Sequence, residues 1–164
     1  MPCPSHALSH ILRLTLTVAC AFQFATAQAE ILAGKVVSIA DGDTLTMVIN
    51  AKMVRMRLAE IDAPEKNQRF GGRSRRSLMK LCFWKEAKAV VAGKDQYGRT
   101  VAQVHCDDMH ANAEQVKAGM AWVYNKYAKN LALYSLQDDA QSLRRGLWAD
   151  KFPIAPWQWR RTHR

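Results

Sequence analysis

Apolar and polar positions alternate along the chain between about residues 32 and 61. Residues 44–49 and 54–59 each place an apolar side chain at every second position, which is the period of a half-buried β-strand. Asp41-Gly42 precedes the first of these segments and predicts a tight two-residue hairpin turn. Pro64, in "IDAPE", ends the strand pattern because proline lacks the amide hydrogen of a central strand.

After Gly71-Gly72 the period becomes that of a helix, with Ser74, Leu78 and Leu81 on one stripe. Strands are predicted again over 85–92 and 100–106, joined by the polar loop "GKDQYGR".

A short helix in "NAEQVKAGMAW" is predicted to end near Gly119, and the last helix covers about 128–145. The Trp- and Arg-rich tail, 151–164, is predicted as an irregular segment packed on the body. This order of elements indicates an α+β domain on a small closed sheet, such as an OB-type barrel.

The N-terminal segment has the pattern of a secretory signal peptide. An apolar stretch over 14–24 ends in small residues, so we predict a signal over residues 1–29, cleaved near Ala27 or Ala29. This stretch is shorter than the roughly 20 apolar residues that a transmembrane helix needs. The mature protein is therefore predicted to be periplasmic or secreted, without a transmembrane segment, and its folded domain to cover 30–150.

The net charge indicates a polyanionic partner. The 164-residue chain carries a formal charge of +10, and removing the signal takes away only Arg13, leaving about +9. Such a charge favours nucleic acid first and an anionic membrane surface second. A basic protein without a specific partner is the alternative.

Two of the four cysteines, Cys82 and Cys106, belong to the predicted mature domain. An even pair in an oxidising compartment favours one disulfide. Two buried free thiols are the alternative.

Five charged residues at predicted strand ends or in loops are the candidates for chemistry. Each has an ordinary structural explanation alone, such as a turn cap or a solvated strand position. Together, three carboxylates could hold a hard cation, and two guanidinium groups could pair with phosphate oxygens. The five are Asp43, Arg57, Asp62, Glu65 and Arg99.

Other metal and catalytic motifs are missing from the sequence. His105 and His110 lack zinc-pair spacing, and no Cys-x-x-Cys occurs. The segment from Asp41 lacks the glycine and glutamate of an EF-hand calcium loop. No serine lies in a nucleophile-elbow context.

Four ordered blocks carry a family resemblance: "VSIADGDTL", "RMRLAEIDAPE", "DQYGRTVAQVHC" and "NAEQVKAGMAW". They resemble the signature blocks of the staphylococcal nuclease-like (thermonuclease) family, and the similarity covers about Gly34 to Trp148. The resemblance implies a five-stranded OB-fold barrel with about three helices. It also implies an enzyme that hydrolyses DNA and RNA and uses Ca²⁺.

The resemblance also assigns a metal site. Carried over by position, Asp43 and Asp62 resemble the calcium-binding aspartates. Ala63 stands where the family offers a backbone carbonyl to the metal, a contact that alanine can also make.

Catalytic roles follow in the same way. Arg57 and Arg99 resemble the two arginines on the scissile phosphate, and Arg75 is taken as an ordinary surface arginine. Glu65 resembles the carboxylate that positions or deprotonates water.

Substrate contacts are assigned to aromatic and basic side chains. Tyr97 matches a phosphate-contacting tyrosine of the family. Tyr124 and Tyr127 both lie close to the position of a second one, but simple spacing selects Asn125, so this contact stays open. The basic face of the first predicted helix could lengthen the nucleic-acid track, through Arg73, Arg76 and Lys80.

The sequence thus predicts an exported, calcium-dependent nuclease that cleaves the P–O5′ bond and leaves 3′-phosphate ends. We expect a monomer that acts on DNA and RNA, with no stable protein partner. The alternatives are a catalytically silent OB-type module that binds nucleic acid or a partner, and an envelope protein docked on anionic lipid.

Overall fold

The computed structural model of the chain describes residues 29–163. Residues 1–28, with nearly all of the predicted signal peptide, and Arg164 lie outside the described residues. In the described part, no helix combines the length and apolarity needed to cross a membrane.

The elements of the described part follow in chain order. The strands are β1 (Ile31–Ile39), β2 (Thr44–Ile49), β3 (Lys52–Leu58), β4 (Ile61–Asp62), β5 (Glu86–Lys94), β6 (Thr100–Cys106), β7 (Met109–His110) and β8 (Trp122–Val123). The helices are α1 (Gly71–Cys82), α2 (Ala111–Lys117), α3 (Ala132–Ser142), a 3₁₀ helix (Gly146–Ala149) and α4 (Pro156–Thr162).

Five strands close into a mixed barrel. Antiparallel pairs join β3 to β2, β2 to β1, β1 to β5 and β5 to β6, and a parallel pair between β3 and β6 closes the ring. The alternating apolar side chains of β2, β3 and β6 point inward, so that residues such as Leu45, Met56 and Val104 are fully buried. The predicted α+β class and OB-type barrel are confirmed.

The predicted turn at Asp41-Gly42 is wrong in type. Neither residue has a positive φ; the positive-φ pair is Asn50-Ala51, between β2 and β3. β1 and β2 are instead joined by a longer loop over 40–43, in which the amide of Ala40 donates to the carbonyl of Thr44 at 2.9 Å. Glycine is required at 42 by close packing, because a Cβ there would lie 1.8 Å from Ser74 Oγ and 2.7 Å from Ala63 Cβ.

We therefore expect Gly42→Ala to destabilise the domain by about 1–3 kcal/mol, the usual cost of overpacking. Gly72→Ala is the control: its Cβ would meet nothing closer than 3.5 Å, and alanine is the better helix former. Urea unfolding of both variants tests this. Equal stability of Gly42→Ala and wild type would contradict the close packing of this loop.

The last predicted helix is shorter than expected. α3 starts at Ala132 because the carboxylate of Glu60 accepts hydrogen bonds from the amides of Lys129 and Asn130, which keeps this segment outside the helix. At the other end, Arg144 has a positive φ of 50°, which ends the helix before the predicted residue 145.

The tail is not irregular throughout. Residues 156–162 form α4, a fourth α-helix where about three were expected. Pro156 is its first residue, where the fixed φ of proline favours helix initiation. Ala155 and Pro156 are buried, and Gln68 Nε2 donates to the Ile154 carbonyl at 2.7 Å. The tail is thereby anchored on the barrel.

Cys82 and Cys106 form a disulfide that joins the end of α1 to the end of β6. Both side chains are fully buried, and they lie 24 residues apart in the sequence. A loop of this length contributes about 3 kcal/mol in the chain-entropy account.

Candidate active site

The loop between β1 and β2 aims Asp43 into the protein. Asp41 Oδ1 accepts a hydrogen bond from the amide of Asp43 at 3.0 Å. The buried Gln115 of α2 donates to the Gly42 carbonyl at 2.6 Å. The two acids of this loop therefore have different roles. Asp41 stabilises the loop, and Asp43 projects into a buried cluster where its side chain is almost inaccessible.

Arg57 joins the two aspartates of that cluster. Its Nη1 lies 3.1 Å from Asp43 Oδ2, and its Nη2 lies 2.9 Å from Asp62 Oδ1. The pairing of β2 with β3 sets Thr44 opposite Arg57, and Asp62 follows at the end of β4. The Ala63 amide donates to Asp43 Oδ2 at 2.7 Å, which fixes this backbone segment against the carboxylate.

Arg99 reaches the same cluster from the loop between β5 and β6. Its Nη1 donates to Thr44 Oγ1 at 3.3 Å, and that hydroxyl donates to Asp43 Oδ1 at 3.1 Å. Its Nε pairs with Asp95 at 2.6 Å. Although burial opposes ionisation of Asp95, hydrogen bonds from Arg99 and the Tyr97 amide hold the pKa of that carboxyl below its ordinary value.

A third arginine, Arg160 of α4, connects Glu65 to the cluster. Its Nη1 lies 2.7 Å from Glu65 Oε1, and its Nη2 lies 2.8 Å from Asp62 Oδ2. Glu65 is itself about 40% exposed, and its amide is held by Gln68 Oε1 at 3.1 Å. Hydrogen bonds and ion pairs thus connect these side chains in one continuous series, which runs in the order Arg99, Thr44, Asp43, Arg57, Asp62, Arg160 and Glu65.

The two aspartates resist ionisation. Burial raises the pKa of Asp43 to about 7, against the opposing effect of Arg57. Burial also raises the pKa of Asp62, in spite of its hydrogen bonds with Arg160 and the charge of Arg57. Both carboxylates would therefore gain from additional positive charge beside them.

The donor chemistry at Asp43 and Asp62 fits a hard cation. Ca²⁺ prefers carboxylate and carbonyl oxygens and completes its shell with water. Among residues 29–163, no three His, Cys, Asp or Glu side chains converge as a ready-made metal cluster. A cation bound here would therefore depend on these two carboxylates, which Arg57 joins.

The three predicted tyrosines contact different parts of the protein: Tyr97 lies beside Arg99, and Tyr124 lies between Tyr127 and Trp157. Tyr97 is 74% exposed, with the Arg99 guanidinium 5.6 Å from its ring centre. Tyr124 packs edge-on against Tyr127 at 5.0 Å and stacks on Trp157 of α4 at 5.3 Å. An open recess is lined by Tyr124, Asn125, Lys126, Trp157 and Arg161.

The predicted basic residues of α1 lie apart from the acids. Arg73, Arg76 and Lys80 are exposed and form no ion pair with any described residue. Arg75 is not an ordinary surface arginine, because its Nε donates to the Ile39 carbonyl at 3.0 Å and its side chain is half-buried.

Sequence reasoning missed Arg160 and Thr44. Thr44 falls on a polar position of the alternating segment 44–49 and shows no other signal in the sequence, but in the structure it connects Arg99 to Asp43. The tail held a usable signal, since a proline followed by "WQWRR" has the pattern of a helix start. No pattern along the chain could indicate that this helix places Arg160 beside Asp62, 98 residues earlier.

Comparison with known proteins agrees with the motif blocks. The family described as "Staphylococcal nuclease homologue" matches residues 55–150. An uncharacterized endonuclease of Haemophilus influenzae is 46% identical over 131 residues, covering 79% of this chain and 74% of that protein. An uncharacterized endonuclease of Escherichia coli is 42% identical over 128 residues, 77% of this chain and 84% of the relative.

A micrococcal nuclease of Shigella flexneri is 39% identical over 140 residues, covering 79% of this chain and 80% of the relative. These identities extend over most of both chains, and the family match includes Arg57, Asp62, Glu65 and Arg99. The chain therefore belongs to the staphylococcal nuclease family and is a phosphodiester-hydrolysing nuclease.

Proposed function

We propose that the protein is an exported, calcium-dependent nuclease that cleaves the P–O5′ bonds of DNA and RNA and leaves 3′-phosphate ends. The observation that carries this proposal is the bridge made by Arg57 between Asp43 and Asp62. This bridge brings two carboxylates and one guanidinium group together at a buried position. Arg99 is connected to it through Thr44, and Glu65 is connected through Arg160.

Asp43, Asp62 and the Ala63 carbonyl are the proposed cation ligands. Bound Ca²⁺ would supply electrophilic polarisation of the phosphate and compensate the two buried negative charges. The raised pKa values of both aspartates support a cation at this point, since burial without one disfavours their charged forms.

Glu65 is the proposed general base or water-positioning group. Its carboxylate is the most exposed of the three acids, at about 40% against 8% for Asp43 and 2% for Asp62. It can therefore reach a water molecule that the buried aspartates cannot. A positioned base of this kind contributes roughly 10²–10⁴-fold to the rate.

Arg57 and Arg99 are proposed to stabilise the extra negative charge of the pentacoordinate transition state. Both have planar forks that match phosphate oxygens better than a lysine ammonium does. Arg57 is held by two acids and Arg99 by Asp95. Their orientation is thus set before substrate arrives, which is the condition for effective electrostatic stabilisation.

The substrate strand is proposed to pass between Tyr97 and the recess beside α4. Stacked aromatic rings next to Lys126 and Arg161 provide faces for bases and charges for phosphates. Arg73, Arg76 and Lys80 of α1 would extend the contact with the backbone. The buried disulfide supports export, because such bonds persist in oxidising compartments.

Calcium dependence is tested with purified protein on plasmid DNA and on single-stranded RNA. We expect turnover with Ca²⁺, none in excess chelator, and less with Mg²⁺, because Mg²⁺ demands octahedral geometry and dehydrates reluctantly. Mass spectrometry of the products identifies the 3′-phosphate ends. Full activity in chelator would overturn the proposed cation, and 5′-phosphate products would overturn the proposed cleavage position.

A further inference from the structure

The contacts of Arg160 place a helix from outside the family match inside the candidate active site. The family match ends at residue 150, whereas α4 begins at Pro156. The Arg160 guanidinium spans both acids, with Nη2 at 2.8 Å from Asp62 Oδ2 and Nη1 at 2.7 Å from Glu65 Oε1. Nη1 also lies 3.3 Å from Asp62 Oδ1.

These contacts use the oxygens that a cation would need. In the described part of the chain, Asp62 Oδ2 accepts a hydrogen bond from Arg160 alone, and Oδ1 is shared with Arg57. The carboxylate is only 2% exposed. A divalent cation on Asp62 would thus lie within a few ångströms of a guanidinium of like charge, and the two repel each other in a poorly solvated site.

Arg160 and the last turn of α4 can move while the first turn of the helix stays docked. The start of the helix is anchored by the buried Ala155 and Pro156 and by the packing of Trp157 on Trp122, with ring centres 5.7 Å apart. Arg160 lies one turn further on and its side chain is 39% exposed. Its guanidinium therefore has a route to solvent, while the first turn of α4 keeps its contacts.

We propose that Arg160 is a positioning residue of the cation site: it holds Asp62 and Glu65 when no cation is bound and competes with a divalent cation for Asp62. Cation binding and docking of the last turn of α4 then oppose each other, and the coupling is reciprocal. This inference rests on the proposed cation site.

Isothermal titration with CaCl₂ tests the competition on the full-length protein. Arg160→Gln should bind Ca²⁺ about tenfold more tightly than wild type, within the range usual for coupled sites. Arg160→Lys keeps the charge but loses the fork across two acids, so its affinity should lie between the two. If Arg160→Gln fails to fold, Arg160→Lys can test the competition in its place.

Arg161→Gln is the matched control, since it removes the same charge from the neighbouring position of α4 and Arg161 forms no ion pair with any described residue. Its Ca²⁺ affinity should stay within about twofold of wild type. If the Ca²⁺ affinity of Arg161→Gln rises as much as that of Arg160→Gln, the effect comes from the net charge of the protein and contradicts the proposal. Unchanged or weaker Ca²⁺ binding by Arg160→Gln would also overturn it.

Hydrogen exchange of residues 156–162 gives a readout independent of activity. Ca²⁺ should accelerate exchange in the last turn of α4 of wild type and leave Arg160→Gln unaffected. Wild type that binds Ca²⁺ without this change contradicts the inference but leaves the proposed cation site intact. If neither wild type nor Arg160→Gln binds Ca²⁺, the proposed cation site and the proposed role of Arg160 are both wrong. If Arg160→Gln binds Ca²⁺ and wild type does not, Arg160 excludes the cation from Asp62 completely, which supports the inference.

Discussion

Arg57→Lys and Arg99→Lys should each lower kcat by roughly 10²-fold or more, because loss of one transition-state donor costs about 3 kcal/mol. A lysine keeps the charge but cannot offer two parallel donors to phosphate oxygens. The KM should change much less, since many other basic side chains hold the nucleic acid. Initial rates over a range of substrate concentrations separate the two constants.

Arg55→Lys is the control for this comparison. Arg55 lies two positions before Arg57 in β3, is exposed, and forms no ion pair with any described residue. Its kcat should stay within about twofold of wild type. Melting temperatures of all three variants are required, because Arg57→Lys also weakens the bridge between Asp43 and Asp62. Stable lysine variants with nearly full kcat would contradict the phosphate-clamp assignment.

Asp43→Asn should move activity and stability in opposite directions. Removal of a proposed cation ligand should lower kcat/KM by 10²-fold or more, because a bound metal supplies several kcal/mol of transition-state stabilisation. In chelator at pH 8, the same variant should be more stable than wild type. Asparagine retains an oxygen for the Ala63 amide but does not carry the buried negative charge that Asp43 has at this pH.

The sign of the stability change follows from the pKa of Asp43, about 7 in the folded protein against an ordinary value of 3.8. Between these values the folded state binds more protons than the unfolded state, so the free energy of unfolding falls as pH rises. The contribution is fully present below about pH 4 and is lost as pH passes through 7. The advantage of Asp43→Asn should therefore shrink at pH 5.

Urea unfolding at pH 5 and pH 8 in chelator measures this dependence. Asp41→Asn is the control, since its side chain can still accept the hydrogen bond from the Asp43 amide while one neighbouring charge is lost. Its stability should depend on pH much as that of wild type does. A less stable Asp43→Asn at pH 8 would mean that the hydrogen bonds of the carboxylate outweigh its desolvation.

Proximity in the sequence explains why several of the predicted site residues lie together in the structure. Asp62, Ala63 and Glu65 follow β3 directly, and Arg57 lies at the end of that strand. A strand followed by a proline-stopped loop keeps such residues within a few ångströms of one another. Asp43 joins them because β2 pairs with β3 in the register that sets Thr44 opposite Arg57, which is the register of a short hairpin.

The sequence by itself determined the strands of the barrel, because the period of two in β2, β3 and β6 leaves one apolar face per strand that must be buried. It also determined the family, through four blocks in order. Only the tertiary structure decided the environment of the acids. Burial raises the pKa of Asp43 and Asp62; for Asp43 it involves the packing of Ser74 of α1 and Gln115 of α2 on the loop at Gly42. The contact of Arg160 with Asp62 joins positions 98 residues apart. No local pattern encodes either, since both arise from surfaces that meet only when the chain has folded.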